Sequence, residues 1–185
     1  SVIPAALPLE GGGGRTALAG TVFYPEGGGQ PADRGVLTLP GGASLAVTDV
    51  HEKEGVIWHR VDRLPPDAAP GVPVDQQIDW AWRFDKMQQH TGEHILSGTL
   101  HRLFGAENVG FHIGSEAVRM DTSVPISPEQ LRQAETGANR FVWQDLRVEV
   151  SYPSRAELAR MTYRSKKEIE GQVRIVAIPG ADVCA

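Results

Sequence analysis

The segment His90-Thr91-Gly92-Glu93-His94 sets two imidazoles four residues apart. On a helix, residues i and i+4 share a face with their Cβ atoms about 5–6 Å apart. Both rings can then meet one ion at Zn–N distances of roughly 2.0–2.1 Å. The same five residues also read H-x-x-E-H, the inverted zinc-protease pattern, in which the glutamate, here Glu93, is the general base. Two helix-surface or satisfied core histidines are the alternative reading of this spacing.

A second unusual stretch lies upstream, at Tyr24-Pro25-Glu26-Gly27-Gly28-Gly29-Gln30-Pro31. Three successive glycines allow positive φ and a close approach of backbone to another surface. The lysine and following helix of a phosphate loop are absent. Either a plain loop or a binding loop, rich in backbone N–H groups, fits these residues.

The elements that must position these groups fall into two halves. Before residue 80 the chain is rich in Gly and Pro and reads as short strands, at Thr21–Tyr24, Val36–Leu39, Ser44–Val50, Val56–Val61 and Val74–Asp79. Breakers separate them, and little helix signal intervenes, which predicts a small β-barrel over residues 1–80. Gly11–Gly14 reads as flexible, either a loop or a disordered tip. From Asp85 to about Phe104 there is no proline, and Met87, Ile95, Leu96, Leu100, Leu103 and Phe104 recur near helical spacing up to Gly105. That pattern predicts a helix carrying the histidine pair.

A hairpin follows, Asn108–Ile113 and Ala117–Asp121 around Gly114-Ser115. Ser127-Pro128-Glu129-Gln130 and Ser154-Arg155-Ala156-Glu157 are capping boxes that open two further helices. Leu146–Tyr152 and Val173–Ile178 read as strands. The expected fold class is α+β, with the barrel followed by an α+β domain over residues 81–185.

Composition bounds the function classes. In 185 residues there is one cysteine and a net charge of −5. No apolar run reaches the ~18 residues of a membrane span, and no signal peptide is recognisable at the start. A single cysteine, Cys184, suits a reducing cytoplasm, and the acidic balance argues against a protein that coats nucleic acid. Basic residues gather late, at Arg155, Arg160, Arg164, Lys166, Lys167 and Arg174. They form either a phosphate-binding patch or a solvated helix face. Arg83 and Lys86, ahead of the histidines, are open to the same two readings. His51, His59 and His101 read as ordinary surface or barrel residues.

Phe23-Tyr24-Pro25-Glu26-Gly27-Gly28-Gly29-Gln30-Pro31, followed by Asp33-Arg34-Gly35, resembles the barrel signature of alanyl-tRNA editing proteins of the AlaX type, whose relatives lie inside alanyl-tRNA synthetases. Met87 to Gly98, containing the histidine pair, resembles the first zinc-binding helix of that family. Asn108-Val109-Gly110-Phe111-His112-Ile113-Gly114 is similar to the strand that walls its pocket. Tyr163 to Ala185 resembles the approach to its second metal motif.

The resemblance implies a zinc-dependent hydrolase that deacylates mischarged seryl-tRNA(Ala), and in some members glycyl-tRNA(Ala), with the tRNA acceptor end as partner. It implies His90 and His94 as metal ligands and Gly28, Gly29 and Gln30 as the loop that contacts substrate; strand alternation, with Phe111 and Ile113 toward the core, turns His112 either to the pocket, as a substrate contact, or to solvent. Thr91 and Glu93 are the expected catalytic residues. Family members complete the zinc site with a C-x-x-x-H motif just after an aspartate. By that spacing the ligand cysteine falls one residue beyond Ala185, so Cys184 is expected to be a neighbour, and two of four ligands are present before the last residue. Gly110-Phe111 stand where some relatives carry hydroxyl or amide residues, which leaves Thr91 and His112 to sense a serine hydroxyl. Two rival functions are an H-x-x-E-H metalloprotease and a non-catalytic tRNA-binding module.

Overall fold

The computed structural model describes residues 1–165 and 171–185. Lys166 and Lys167 of the basic stretch lie outside the described residues. The chain divides into two compact units, Ser1–Gln88 and Gln89–Ala185, and each is described by itself.

The first unit is built from β1 (Ala5–Pro8), β2 (Gly14–Ala17), β3 (Gly35–Thr38), β4 (Ser44–Lys53), β5 (Val56–Val61) and β6 (Asp75–Ile78), with the start of α1 (Trp80–Phe104). They form one antiparallel sheet in the order β1-β2-β5-β4-β3-β6. The expected barrel is met only in part. The edge strands share no ladder; Val2 bridges Pro73, flanked by hydrogen bonds between Ile3 and Val72 and between Ser1 and Val74.

Alternation in β4 buries Leu45 and Val47, and then the phase changes so that Val50 is buried. A register shift between Val47 and Asp49 against β5 supplies the extra residue, as a bulge does. Gly35 is demanded by the β3–β6 pairing, because a Cβ there would meet the Gln77 carbonyl oxygen at 2.1 Å.

Two expectations for this half fail. Gly14 is no loop residue but the first residue of β2, and β1–β2 form a hairpin that apolar alternation does not signal. Thr21–Tyr24 is not a strand. Its backbone is satisfied by side chains in place of a neighbouring strand: Val22 N–H donates to Gln76 Oε1 at 3.0 Å, Phe23 N–H to Thr21 Oγ1 at 3.0 Å, and Tyr24 N–H to Asp33 Oδ2 at 2.8 Å.

Helix α1 starts at Trp80, five residues before the periodic stretch. Asp79 caps it, accepting the Trp82 N–H at 3.0 Å, a signal that apolar periodicity omits. The Trp82 indole donates to the Ala32 carbonyl at 2.9 Å, and Arg83 Nε donates to both oxygens of the buried Asp33 at 2.8 and 2.9 Å. The ion pair raises the Arg83 pKa, chiefly through that hydrogen bond to Asp33.

The second unit continues α1 into β7 (Asn108–Ile113), β8 (Val118–Thr122), α2 (Pro128–Trp143), β9 (Glu149–Ser151), α3 (Arg155–Leu158), β10 (Ile175–Ile178) and β11 (Asp182–Cys184). β7 and β8 form a hairpin; β9, β10 and β11 form a three-stranded antiparallel sheet with β10 central. Both expected capping boxes are present, at Ser127/Gln130 and Ser154/Glu157. The sequence does not announce β11, whose three residues are too few to show a pattern.

Ile95 packs with Ile178 and Ala181, while Leu100 packs with Ala106 and Ala134. These two clusters hold the C-terminal strands and α2 against α1. Among the described residues, no helix is long and apolar enough to cross a membrane.

Candidate metal centre

The histidine pair lies on α1 as its spacing demands, with the ring centroids 5.1 Å apart and the planes 24° from parallel. His90 also stacks on Phe111 of β7, at 5.3 Å. Strand alternation accounts for this: Phe111 and Ile113 share a face, Ile113 is buried, and His112 is exposed on the other face. The pocket-wall position next to the histidines is therefore taken by Phe111, not His112.

What closes the site comes from the far end of the chain. Asp182 Oδ2 lies 2.8 Å from His94 Nδ1, and its other oxygen accepts from Arg164 Nε at 2.8 Å. Arg164 also donates to Ser97 Oγ at 2.7 Å. Its backbone pairs with the last strand, donating N–H to the Val183 carbonyl at 2.8 Å and accepting from Ala185 at 3.0 Å. The Cys184 sulfur then sits 4.0 Å from His94 Nε2.

This approach of β11 to α1 depends on Gly98. A Cβ there would stand 2.2 Å from the Ala181 carbonyl oxygen and 3.1 Å from the Asp182 Cβ. Glu93, one helix position before His94, is buried. Its Oε1 accepts from Asn108 Nδ2, and its Oε2 lies 3.8 Å from His94 Nε2.

These contacts set the charges. Burial opposes the His94 imidazolium. The Asp182 hydrogen bond and the Cys184 and Glu93 groups outweigh it and push the pKa up to about 10. Burial likewise opposes the Asp182 carboxylate, but the bonds from His94 and Arg164 hold its pKa below the ordinary value. The Arg164 pKa is raised, mainly by its hydrogen bond to Asp182.

A metal ion fits this donor set. Potential ligand atoms of His90, Glu93 and His94 lie within 4.8 Å of one another, as do those of His94, Asp182 and Cys184. Asp182 occupies His94 Nδ1, so Nε2 is the nitrogen presented to the other donors. Two imidazoles and a thiol are zinc ligands, and a carboxylate behind a ligating histidine fixes its tautomer and orientation. Sequence reasoning named His90, His94 and Glu93. It used Asp182 only as a spacing marker, counted Arg164 only among basic residues, and gave Asn108 no role.

The glycine stretch belongs to the first unit. Gly27 and Gln30 exchange both backbone hydrogen bonds, at 3.2 and 3.0 Å, around Gly28 and Gly29. Both central glycines have positive φ, +61° and +80°, the requirement of a type I′ hairpin turn. Tyr24 Oη donates to the Gly27 carbonyl at 2.9 Å, and Gln30 is buried. Glu26, Asp49 and His51 bring potential ligand atoms within 4.8 Å of one another in this unit. They are largely exposed, and His51 Nε2 is paired with Asp49 at 2.7 Å. Thr91, beside His90, is half-buried on α1.

A family model described as tRNA synthetases class II (A) matches residues 9–82. Alanyl-tRNA editing protein AlaX-L of Pyrococcus horikoshii is 33% identical over 165 residues, covering 88% of this chain and 41% of that protein. Alanyl-tRNA editing protein Aarsd1 of Danio rerio is 30% identical over 202 residues, with 98% of this chain and 45% of that protein covered. An alanine–tRNA ligase of Pyrococcus abyssi is 40% identical over 141 residues, covering 74% of this chain and 15% of the ligase. The chain thus spans less than half the length of the curated relatives it matches.

Proposed function

Since the chain belongs to the family of alanyl-tRNA editing proteins and their relatives among alanine–tRNA ligases, we propose that it is the zinc-dependent deacylase part of such a protein, acting on seryl-tRNA(Ala). The chemical need is general: a pocket sized for alanine admits glycine and rejects an added hydroxyl only weakly, so a second site must remove the errors.

One observation carries the reading. His94 belongs to two groups of potential ligands, one with His90 and Glu93 and the other with Asp182 and Cys184, and Asp182 holds its Nδ1 side. These residues would hold zinc, which supplies a Lewis acid at the ester carbonyl when bound. Arg164 and Asp182 keep His94 Nε2 turned toward the reacting groups. Asn108 fixes Glu93 Oε1, which leaves Oε2 to accept the proton of the attacking water. The water's oxygen bonds to the ester carbon, the bond to the ribose oxygen breaks, and Glu93 returns the proton to that oxygen, so the amino acid leaves as a carboxylate and the terminal adenosine regains its hydroxyl. Thr91 offers a hydroxyl to the serine side chain, and Phe111 excludes water on the far side of His90. The turn Gly28-Gly29-Gln30 is the part of the first unit assigned to the tRNA, while His112, exposed on the face of β7 away from His90, is given no contact with the reacting groups.

The test is deacylation of seryl-tRNA(Ala), with zinc content measured alongside, for the wild type, His90→Ala and His94→Ala. Loss of both zinc and deacylation is expected in each variant. A deacylation rate unchanged in both overturns the proposal.

A further inference from the structure

The last turn of α1 and one face of α2 enclose an open groove of about 600 Å³. Arg102 comes from α1; Arg132, Thr136 and Arg140 follow at four-residue intervals on α2 and so share one face. Gly137 lets the two helices approach, since a Cβ there would meet Thr99 Cγ2 at 3.0 Å.

The three guanidinium groups are held differently. Arg102 is anchored, donating to the Gly180 carbonyl at 2.7 Å while lying 4.9 Å from the centre of the Phe141 ring. Arg132 is paired with Glu129 at 2.6 Å, but the two side chains are 66% and 65% exposed. Such an exposed surface pair contributes little, so a stronger anion displaces the carboxylate. Arg140 is exposed and has no side-chain partner among the described residues.

We propose that this groove binds the phosphodiester backbone of RNA, and that it seats the acceptor stem of the tRNA on which the deacylase reading rests. In a chain of net charge −5, a polyanion is held where cations gather, and three arginines here face one carboxylate. Arg132 and Arg140 are eight residues apart, about 12 Å of helix rise, a span that suits two separate phosphates of a polyanion better than one small anion. Planar guanidinium forks match phosphate oxygens in pairs.

The experiment is fluorescence anisotropy of the 185-residue protein with a labelled hairpin RNA copying the tRNA(Ala) acceptor stem, from about 50 to 200 mM salt. The double variant Arg132→Gln/Arg140→Gln should bind more weakly. Its slope of log affinity against log salt should shrink by about 1.4–1.8, at 0.7–0.9 for each phosphate that is no longer neutralised. Arg155→Gln/Arg160→Gln, on a different exposed segment, should keep the wild-type slope. Thermal unfolding of all three proteins checks that the fold is intact. Wild-type binding with an unchanged slope in the groove variant overturns the groove and leaves the deacylase reading standing. Equal losses in both variants also overturn it, because binding would then be diffuse. Wild-type protein that does not bind the RNA at all overturns both.

Discussion

Replacing Asp182 by asparagine keeps the side-chain shape and removes the charge that joins His94 to Arg164. Asp182 is 3% exposed and makes two charge-assisted bonds, each 2.8 Å, to partners that are 28% and 22% exposed. A hydrogen bond to a charged group contributes about 1.5–3 kcal/mol, and breaking a buried pair costs about 3–5 kcal/mol. Partly exposed partners place this case near the low end, at about 3 kcal/mol of unfolding free energy near pH 7. Loss of an orienting carboxylate behind a metal-ligating histidine lowers metal affinity by about 10–100-fold.

The pH dependence has a definite sign. The His94 pKa is raised from 6.5 to about 10, so its contribution to the metal-free protein is full below 6.5 and is lost as pH rises through 10. The Asp182 pKa is lowered from 3.8, so its contribution is present above 3.8 and is lost as pH falls through the folded value. The wild-type advantage over Asp182→Asn should therefore be greatest between these limits and shrink at both ends. Urea unfolding of chelator-treated protein across pH measures it, and competition with a chromophoric chelator measures zinc affinity. Equal unfolding midpoints throughout that window, or unchanged zinc affinity, would refute the reasoning.

Two further outcomes follow from close approaches and buried charge. Gly98→Ala should lower the thermal midpoint and weaken zinc binding together, because the new Cβ must push the Ala181 carbonyl from 2.2 Å; calorimetry and metal analysis check this, and a loss of stability with full zinc affinity would contradict it. Arg83→Gln leaves Asp33, 1% exposed, without its cation, and should cost about 3–5 kcal/mol, read as a fall in the urea midpoint followed by tryptophan fluorescence.

The helix carrying His90 and His94, the two capping boxes, four of the five expected strands in the first half and the β7–β8 hairpin were legible because each depends on neighbours in sequence. Apolar periodicity, a serine three residues before a glutamine or glutamate, and a Gly-Ser turn are local signals, and local hydrogen bonds satisfy them. Thr21–Tyr24 misled for the converse reason. Its β-branched and aromatic residues suit a strand, yet Gln76 and Asp33, distant in sequence, take its backbone N–H groups.

The candidate site shows the same division. Residue type and four-residue spacing alone put two imidazoles on one helix face, and the resemblance of the surrounding motifs gave that pair its family. Only the tertiary structure decided what stands around it. Asp182 reaches His94 across 88 residues and Cys184 across 90, through a short strand that no periodicity announces. That meeting depends on the absence of a Cβ at Gly98 and on Arg164 gripping the strand by backbone and side chain. A chain of amino acids encodes a helix face in four consecutive intervals, whereas the partner of a buried charge is fixed by packing and close approach between segments remote along it.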